Sequence, residues 1–135
     1  MTTVELGSES HHLRLTPNAD DGTVPHSLLA ELRADSLLAV HSVEQHYVSG
    51  FADLVTFFDS LVDDWRGWTG ERRWESLEGE LQVTATHDGH VRLAVTVRAA
   101  YPGDWRAWAT ISLDPGEQLS QAAHELGAMA AGFTP

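Results

Sequence analysis

Leu81-Gln82-Val83-Thr84-Ala85-Thr86-His87-Asp88-Gly89-His90-Val91-Arg92-Leu93-Ala94-Val95-Thr96-Val97 is the stretch whose reading decides the fold. Apolar and polar residues alternate with period two on both sides of Asp88-Gly89, the pattern of two half-buried strands joined by a tight turn. The first strand extends over 77–86, with Leu77, Gly79, Leu81, Val83 and Ala85 inward and Glu78, Glu80, Gln82, Thr84 and Thr86 outward. The second covers 90–99, with Val91, Leu93, Val95, Val97 and Ala99 inward. Parity then selects the loop. A two-residue Asp88-Gly89 turn sets inward Val83 against outward Ala94, whereas a three-residue loop, His87-Asp88-Gly89, pairs Val83 with Leu93 and Leu81 with Val95. It also puts Gly89 at a left-handed position. That register places Glu78 opposite Arg98, a cross-strand ion pair of roughly 0.2–1 kcal/mol.

Tyr101-Pro102-Gly103-Asp104 has the chemistry of a type II turn and leads to a third strand over 105–113. Trp105, Ala107, Ala109, Ile111 and Leu113 face inward there, and Arg106, Trp108, Thr110 and Ser112 outward. If Ala99 pairs with Trp105, Arg98 lies opposite Arg106 and Thr96 opposite Trp108. The meander is followed by a helix. Asp114-Pro115-Gly116-Glu117 supplies a cap, a proline at the first helical position and an acid three residues on. Leu119, Ala122, Ala123, Leu126, Met129 and Ala130 form its stripe up to Gly132.

Upstream of the meander, Phe51, Leu54, Val55, Phe57, Phe58, Leu61, Val62 and Trp65 recur at spacings of three and four, which predicts an amphipathic helix capped by Ser49 and ended by Gly67. Asp63 and Asp64 oppose its dipole, with Arg66 as the offset. Residues 28–39 admit two readings. Leu28, Ala30, Leu32 and Ala34 alternate with charged residues as in a strand that turns at Asp35-Ser36, yet Leu28, Leu29, Leu32 and Ser36 also fall at helical spacing. The hairpin is preferred because the following residues are rich in β-compatible Val, His and Tyr. Residues 1–27 read as irregular edge strands at Val4-Glu5-Leu6 and His12-Leu13-Arg14-Leu15, then a loop over 16–22. The expected fold is a single α+β domain over 1–135, its main body 28–135. It has one antiparallel sheet of five to six strands with two helices on one face, in the order strands, helix, three-stranded meander, helix.

The chain has 135 residues, 42% hydrophobic and 21% charged, enough to bury a core without staples. It has no cysteine, which removes disulfides and thiolate metal sites and fits a reducing compartment. The first residues carry neither the basic start nor the apolar run of a signal peptide, and no apolar stretch nears ~20 residues, so the expected location is the cytoplasm. Twenty acids face eight bases, all arginine, for a net charge of −12. That field opposes phosphate backbones and speaks against nucleic acid, and it favours a basic protein or a cation.

No catalytic motif stands out: there is no nucleophile elbow, phosphate-binding glycine loop, His-Glu-x-x-His or cysteine nucleophile. His87 and His90 around Asp88 have a spacing that suits zinc or nickel with one carboxylate. A third ligand is lacking, solvated turn residues are the plainer reading, and neither a metal nor a cofactor is assigned. Tryptophan and arginine are the residues most enriched at binding hot spots. The candidates are therefore Trp68, Arg72, Arg73 and Trp74 at the entry to the meander, and Arg98, Arg106 and Trp108 on its outer face. For Trp68 and Trp74, packing over the end of the sheet is an equal alternative.

The motifs Asp64-Trp65-Arg66-Gly67-Trp68, Trp74-Glu75-Ser76, Thr84-Ala85-Thr86-His87-Asp88-Gly89-His90-Val91 and Gly116-Glu117-Gln118-Leu119 occur in that order. In this the chain resembles a family of short bacterial proteins of unknown function (domain of unknown function 6228) over roughly residues 50–131. The resemblance implies no activity, cofactor or catalytic residue. The expected function is that of a non-enzymatic, acidic interaction protein, immunity- or regulator-like, that engages a protein partner, with a basic one favoured by the charge, and no membrane. The alternatives are a small-molecule or metal binder or enzyme with a site between sheet and helices, using His87, Asp88 or His41, and a homodimer formed through the outer sheet face.

Overall fold

The structure is a computed structural model that describes residues 3–19, 24–100 and 102–133. The loop expected at 20–22 and the first residue of the turn at Tyr101 lie outside them. Eight strands and two helices are seen among the described residues. They are β1 (Val4–Gly7), β2 (His11–Asn18), β3 (Ser27–Ala34), β4 (Leu37–Glu44), α1 (Ala52–Asp63), β5 (Arg72–Glu75), β6 (Leu81–His87), β7 (Val91–Arg98), β8 (Arg106–Leu113) and α2 (Glu117–Ala131). The α+β class is as expected, but the strands form two four-stranded antiparallel sheets, β1-β2-β3-β4 and β5-β6-β7-β8, not one sheet of five or six.

The hairpin reading of 28–39 holds: β3 and β4 meet at Ala34 and Leu37, and Asp35 takes the left-handed conformation (φ 52°) that a two-residue turn demands. The N-terminal segments are built fully into this sheet. β2 is an interior strand between β1 and β3, and it runs on through Thr16 and Pro17, which the turn-rich composition had assigned to loop. Pro17 is tolerated because it lies beyond the last β1 partner, Val4↔Leu15, where no ladder bond is asked of it on that side.

In the second sheet the parity argument survives and the register does not. Val83 faces Val95, Leu81 faces Val97 and His87 faces Val91, two residues from the expected pairing. The loop is Asp88-Gly89-His90: the Asp88 N–H donates to the His90 carbonyl (3.1 Å), and Gly89 sits at φ 103°. The Glu78–Arg98 pair is consequently absent. Residues 77–79 are instead a turn between β6 and a strand the alternation did not reveal, β5, whose Trp74 pairs with Val83. Gly79 turns at φ 74°, which flips the faces around it, so that Leu77 is exposed and Glu80 is buried. At β8 the expected pairs Arg98↔Arg106 and Thr96↔Trp108 are both present. Trp105, expected inward, is 40% exposed, because it lies past the end of the covered sheet and leans on His41 of β4 (ring centroids 5.8 Å).

Both sheets turn apolar faces toward each other. β8 passes β1, β2 and β3, and β7 passes β3 and β4, so the strands of the two layers cross. The helices do not share one sheet face. They pack on each other, α2 reaching β1 and α1 reaching β5. α2 buries the expected stripe in full. The helix begins at Glu117 with Gly116 at its N-cap, so the expected cap at Asp114 and the proline at the first helical position fall before it, and it is Gln118, not Glu117, that accepts the Asp114 N–H (2.8 Å). In α1 the buried face is Leu54, Phe58 and Leu61. Ser49 provides no side-chain cap, and Trp65 falls outside the helix and is exposed. Phe51 meets Phe133 edge-on at 4.9 Å, joining the start of α1 to the end of α2. No helix among the described residues is long and apolar enough to cross a membrane.

Candidate functional site

The tryptophans and arginines singled out in the sequence divide into two groups. The first sits where α1 meets the second sheet. Arg72, half-buried, donates to the Ser60 carbonyl (3.0 Å) and to the Asp64 carboxylate (2.5 Å), and its guanidinium stacks 4.8 Å from the Trp68 ring. Arg72 thus offsets the acids at the end of α1; Arg66, the expected partner, lies over Trp65 instead. His87 closes the same cluster. Its ring meets Trp68 edge-on (5.2 Å), its Nδ1 accepts the Gly89 N–H (3.1 Å), and its Nε2 then carries the proton donated to the Trp65 carbonyl (2.8 Å). Trp74 is 8% exposed in the core. The buried indole N–H groups of Trp68 and Trp74 find no acceptor among the described residues. Each such group costs roughly 1–3 kcal/mol, which the burial of Trp74 and the contacts of Trp68 with Arg72 and His87 offset. Arg72, with Trp68 beneath it, ties the end of α1 to β5, and Trp74 is buried opposite Val83.

The second group lies on the outer face of the second sheet. Trp108 is 63% exposed, opposite Thr96, and next along the strands come Arg98 and Arg106. Arg73 and Arg92 project from the same face, through the pairs Arg73↔Thr84 and Arg92↔Ser112. Four of the eight arginines therefore share one face of a strongly acidic chain. Arg73 is paired with Glu71 (2.9 Å) and Arg92 with Asp88 (2.8 Å). Neither Arg98 nor Arg106 has an ion-pair partner among the described residues. Alternation along β7 and β8 already sets Arg92, Arg98 and Arg106 outward; Arg73 joins them through β5, the strand that the alternation did not reveal.

The histidine loop is held by its own hydrogen bonds. Asp88 accepts from Arg92 and from the His90 N–H (3.3 Å), and these two donors hold its carboxyl below the usual carboxylate value of 3.8. His87 is committed at both ring nitrogens. His41 lies on the other sheet, bonded to the Ser42 carbonyl and against Trp105. No group of three or more potential metal ligands occurs among the described residues.

Glu80, expected on the outer face, is buried instead. Its carboxylate is 1% exposed and accepts from the Ser76 hydroxyl (2.8 Å) and from the Glu44 N–H (3.0 Å), so it links the β5–β6 turn to the last residue of β4 in the other sheet. Gly79, the glycine that breaks the strand reading, was the available signal. The surface also carries an acidic cleft of about 450 Å³ where Glu5 faces Asp114, Glu117 and Glu125. An apolar recess lies where Leu38 and Val40 of β4 meet Trp105.

The fold and the outer-face residues define a two-sheet α+β protein with an exposed arginine–tryptophan surface. The chain belongs to a family of unknown function (DUF6228), whose model matches residues 4–132. No curated protein and no solved structure matches it.

Proposed function

We propose that this is an acidic, non-enzymatic interaction protein of the cytoplasm that engages a protein partner through the outer face of its second sheet, with Trp108 at the centre of the contact. The observation that carries the reading is Trp108 itself. A tryptophan 63% exposed on the outer sheet face, flanked by two arginines without ion-pair partners among the described residues, has the composition of a binding hot spot. The net charge of −12 attracts a basic partner over distances of about a Debye length, roughly 8–10 Å at ordinary salt. The partner's identity then depends on the short-range fit around Trp108.

The test is site-specific photo-crosslinking in the native host. A photoreactive phenylalanine analogue replaces Trp108 in one strain and Tyr47, exposed on a different part of the molecule, in another. A discrete adduct from position 108 and none from position 47 is expected. Equal adducts from both, or none from 108, removes the outer face as the contact. An adduct of twice the protomer mass, with sedimentation that depends on concentration, identifies the partner as a second copy.

A further inference from the structure

We propose that Arg98 and Arg106 together form a seat for a carboxylate group. The argument starts from the ladder. The Ala99 N–H bonds to the Trp105 carbonyl and the Arg98 N–H bonds toward β6, to the Glu80 carbonyl. Arg98 and Arg106 are therefore a non-hydrogen-bonded pair, the kind whose side chains stand closest across an antiparallel ladder. Two cations at that spacing repel. A chain with twenty acids has ample means to neutralise them, as it does for Arg14, Arg72, Arg73 and Arg92, yet among the described residues no carboxylate pairs with either.

One of the two is also pre-set. The Arg98 Nε donates to the Gly79 carbonyl (2.8 Å), and a Cβ at Gly79 would stand only 2.5 Å from Arg98 Nη2. The guanidinium thus lies over the β5–β6 turn in a space that only glycine leaves open. Its rotamer freedom is already spent before a ligand arrives, and its Nη groups remain for an acceptor. Arg98 and Arg106 line a recess of about 340 Å³ together with Gln82, Asp104 and Trp105. Guanidinium forks match a planar oxyanion with two parallel N–H bonds each. Asp104 on the rim and the net charge of −12 disfavour a dianion, so the ligand class is a monoanionic carboxylate rather than a phosphate.

This deepens the outer-face reading and rests on it for one point: the carboxylate is supplied by the partner's side chain. The seat itself is tested on the isolated protein. In ¹⁵N spectra of the arginine Nε–H groups, sodium acetate is titrated against sodium chloride at equal ionic strength. Saturable shifts of the Arg98 and Arg106 signals with acetate alone are expected, with Arg73 and Arg92 still, and Arg106→Gln should abolish the shift at Arg98. Arg106 is exposed, so this variant leaves the core intact. Equal responses to acetate and chloride, or a tighter saturable response to inorganic phosphate, overturn the proposal. A second arm asks the source. If Arg106→Gln also weakens the Trp108 crosslink at least fivefold, the partner supplies the carboxylate; an acetate response with an unchanged crosslink overturns the partner clause and assigns the seat to a free small acid.

Discussion

Glu80→Ala removes an acceptor that joins the β5–β6 turn to the end of β4. Two bonds are lost, from the buried Ser76 hydroxyl and from the part-buried N–H of Glu44. Hydrogen bonds to a charged acceptor contribute about 1.5–3 kcal/mol each, and a stranded buried donor costs a similar amount. Removing the carboxylate also relieves its own desolvation, which puts the net loss at the lower end, about 3 kcal/mol for the pair. For a chain of this size that lowers the thermal midpoint by roughly 12 °C, at about 4 °C per kcal/mol. Glu80→Gln keeps an acceptor for the Glu44 N–H and should lose about half as much. Urea unfolding followed by tryptophan fluorescence and by circular dichroism gives both values, and hydrogen exchange at the Glu44 amide reports the bond directly. The reasoning fails if alanine costs under about 1 kcal/mol, if glutamine costs as much as alanine, or if the Glu44 amide exchanges no faster in the alanine variant.

Two further outcomes follow from the clusters around α1 and the histidine loop. Arg72→Met keeps the stem over Trp68 but loses the bonds to the Ser60 carbonyl and Asp64, and should cost about 1–2 kcal/mol in urea unfolding; a loss confined to the additive value of an exposed ion pair, about 0.5 kcal/mol, counts against its role at the helix end. Asp88 should titrate below 3.8 in the folded state. Since the folded value is the lower one, its stabilising contribution is complete above 3.8 and disappears as pH falls through the folded value. Carboxyl-carbon NMR against pH checks this, and Arg92→Gln should return the midpoint toward 3.8.

Much of the candidate site was legible because short-range rules govern it. Parity along β7 and β8 placed Arg98, Arg106 and Trp108 on the face away from the core, and the turn that pairs Ala99 with Trp105 set Arg98 opposite Arg106 and Trp108 opposite Thr96. The same rule failed by two residues at β6–β7, where parity accepts either three-residue loop and the choice falls to contacts elsewhere. His87 is drawn into the ladder position opposite Val91 while its ring ties to the Trp65 carbonyl after α1. Trp68 and Trp74 were equally balanced between binding and packing on local grounds; their burial comes from α1 and β6, which no local pattern brings near them.

By itself the sequence determined where α2 buries its stripe, the left-handed glycine at 89, the alternation along β7 and β8 and the acidic balance of the chain. Those depend on backbone sterics and on period, which act within a few residues. The tertiary structure alone decided that the strands divide into two sheets, that Glu80 turns inward to bond across them, and that Arg73 on β5 joins the arginines of the outer face. An apolar strand face records that it must be covered but not by what. Two sheets stacked face to face cover each other's apolar surface more completely than two short helices could cover one wide sheet, and that comparison exists only once the whole chain has closed.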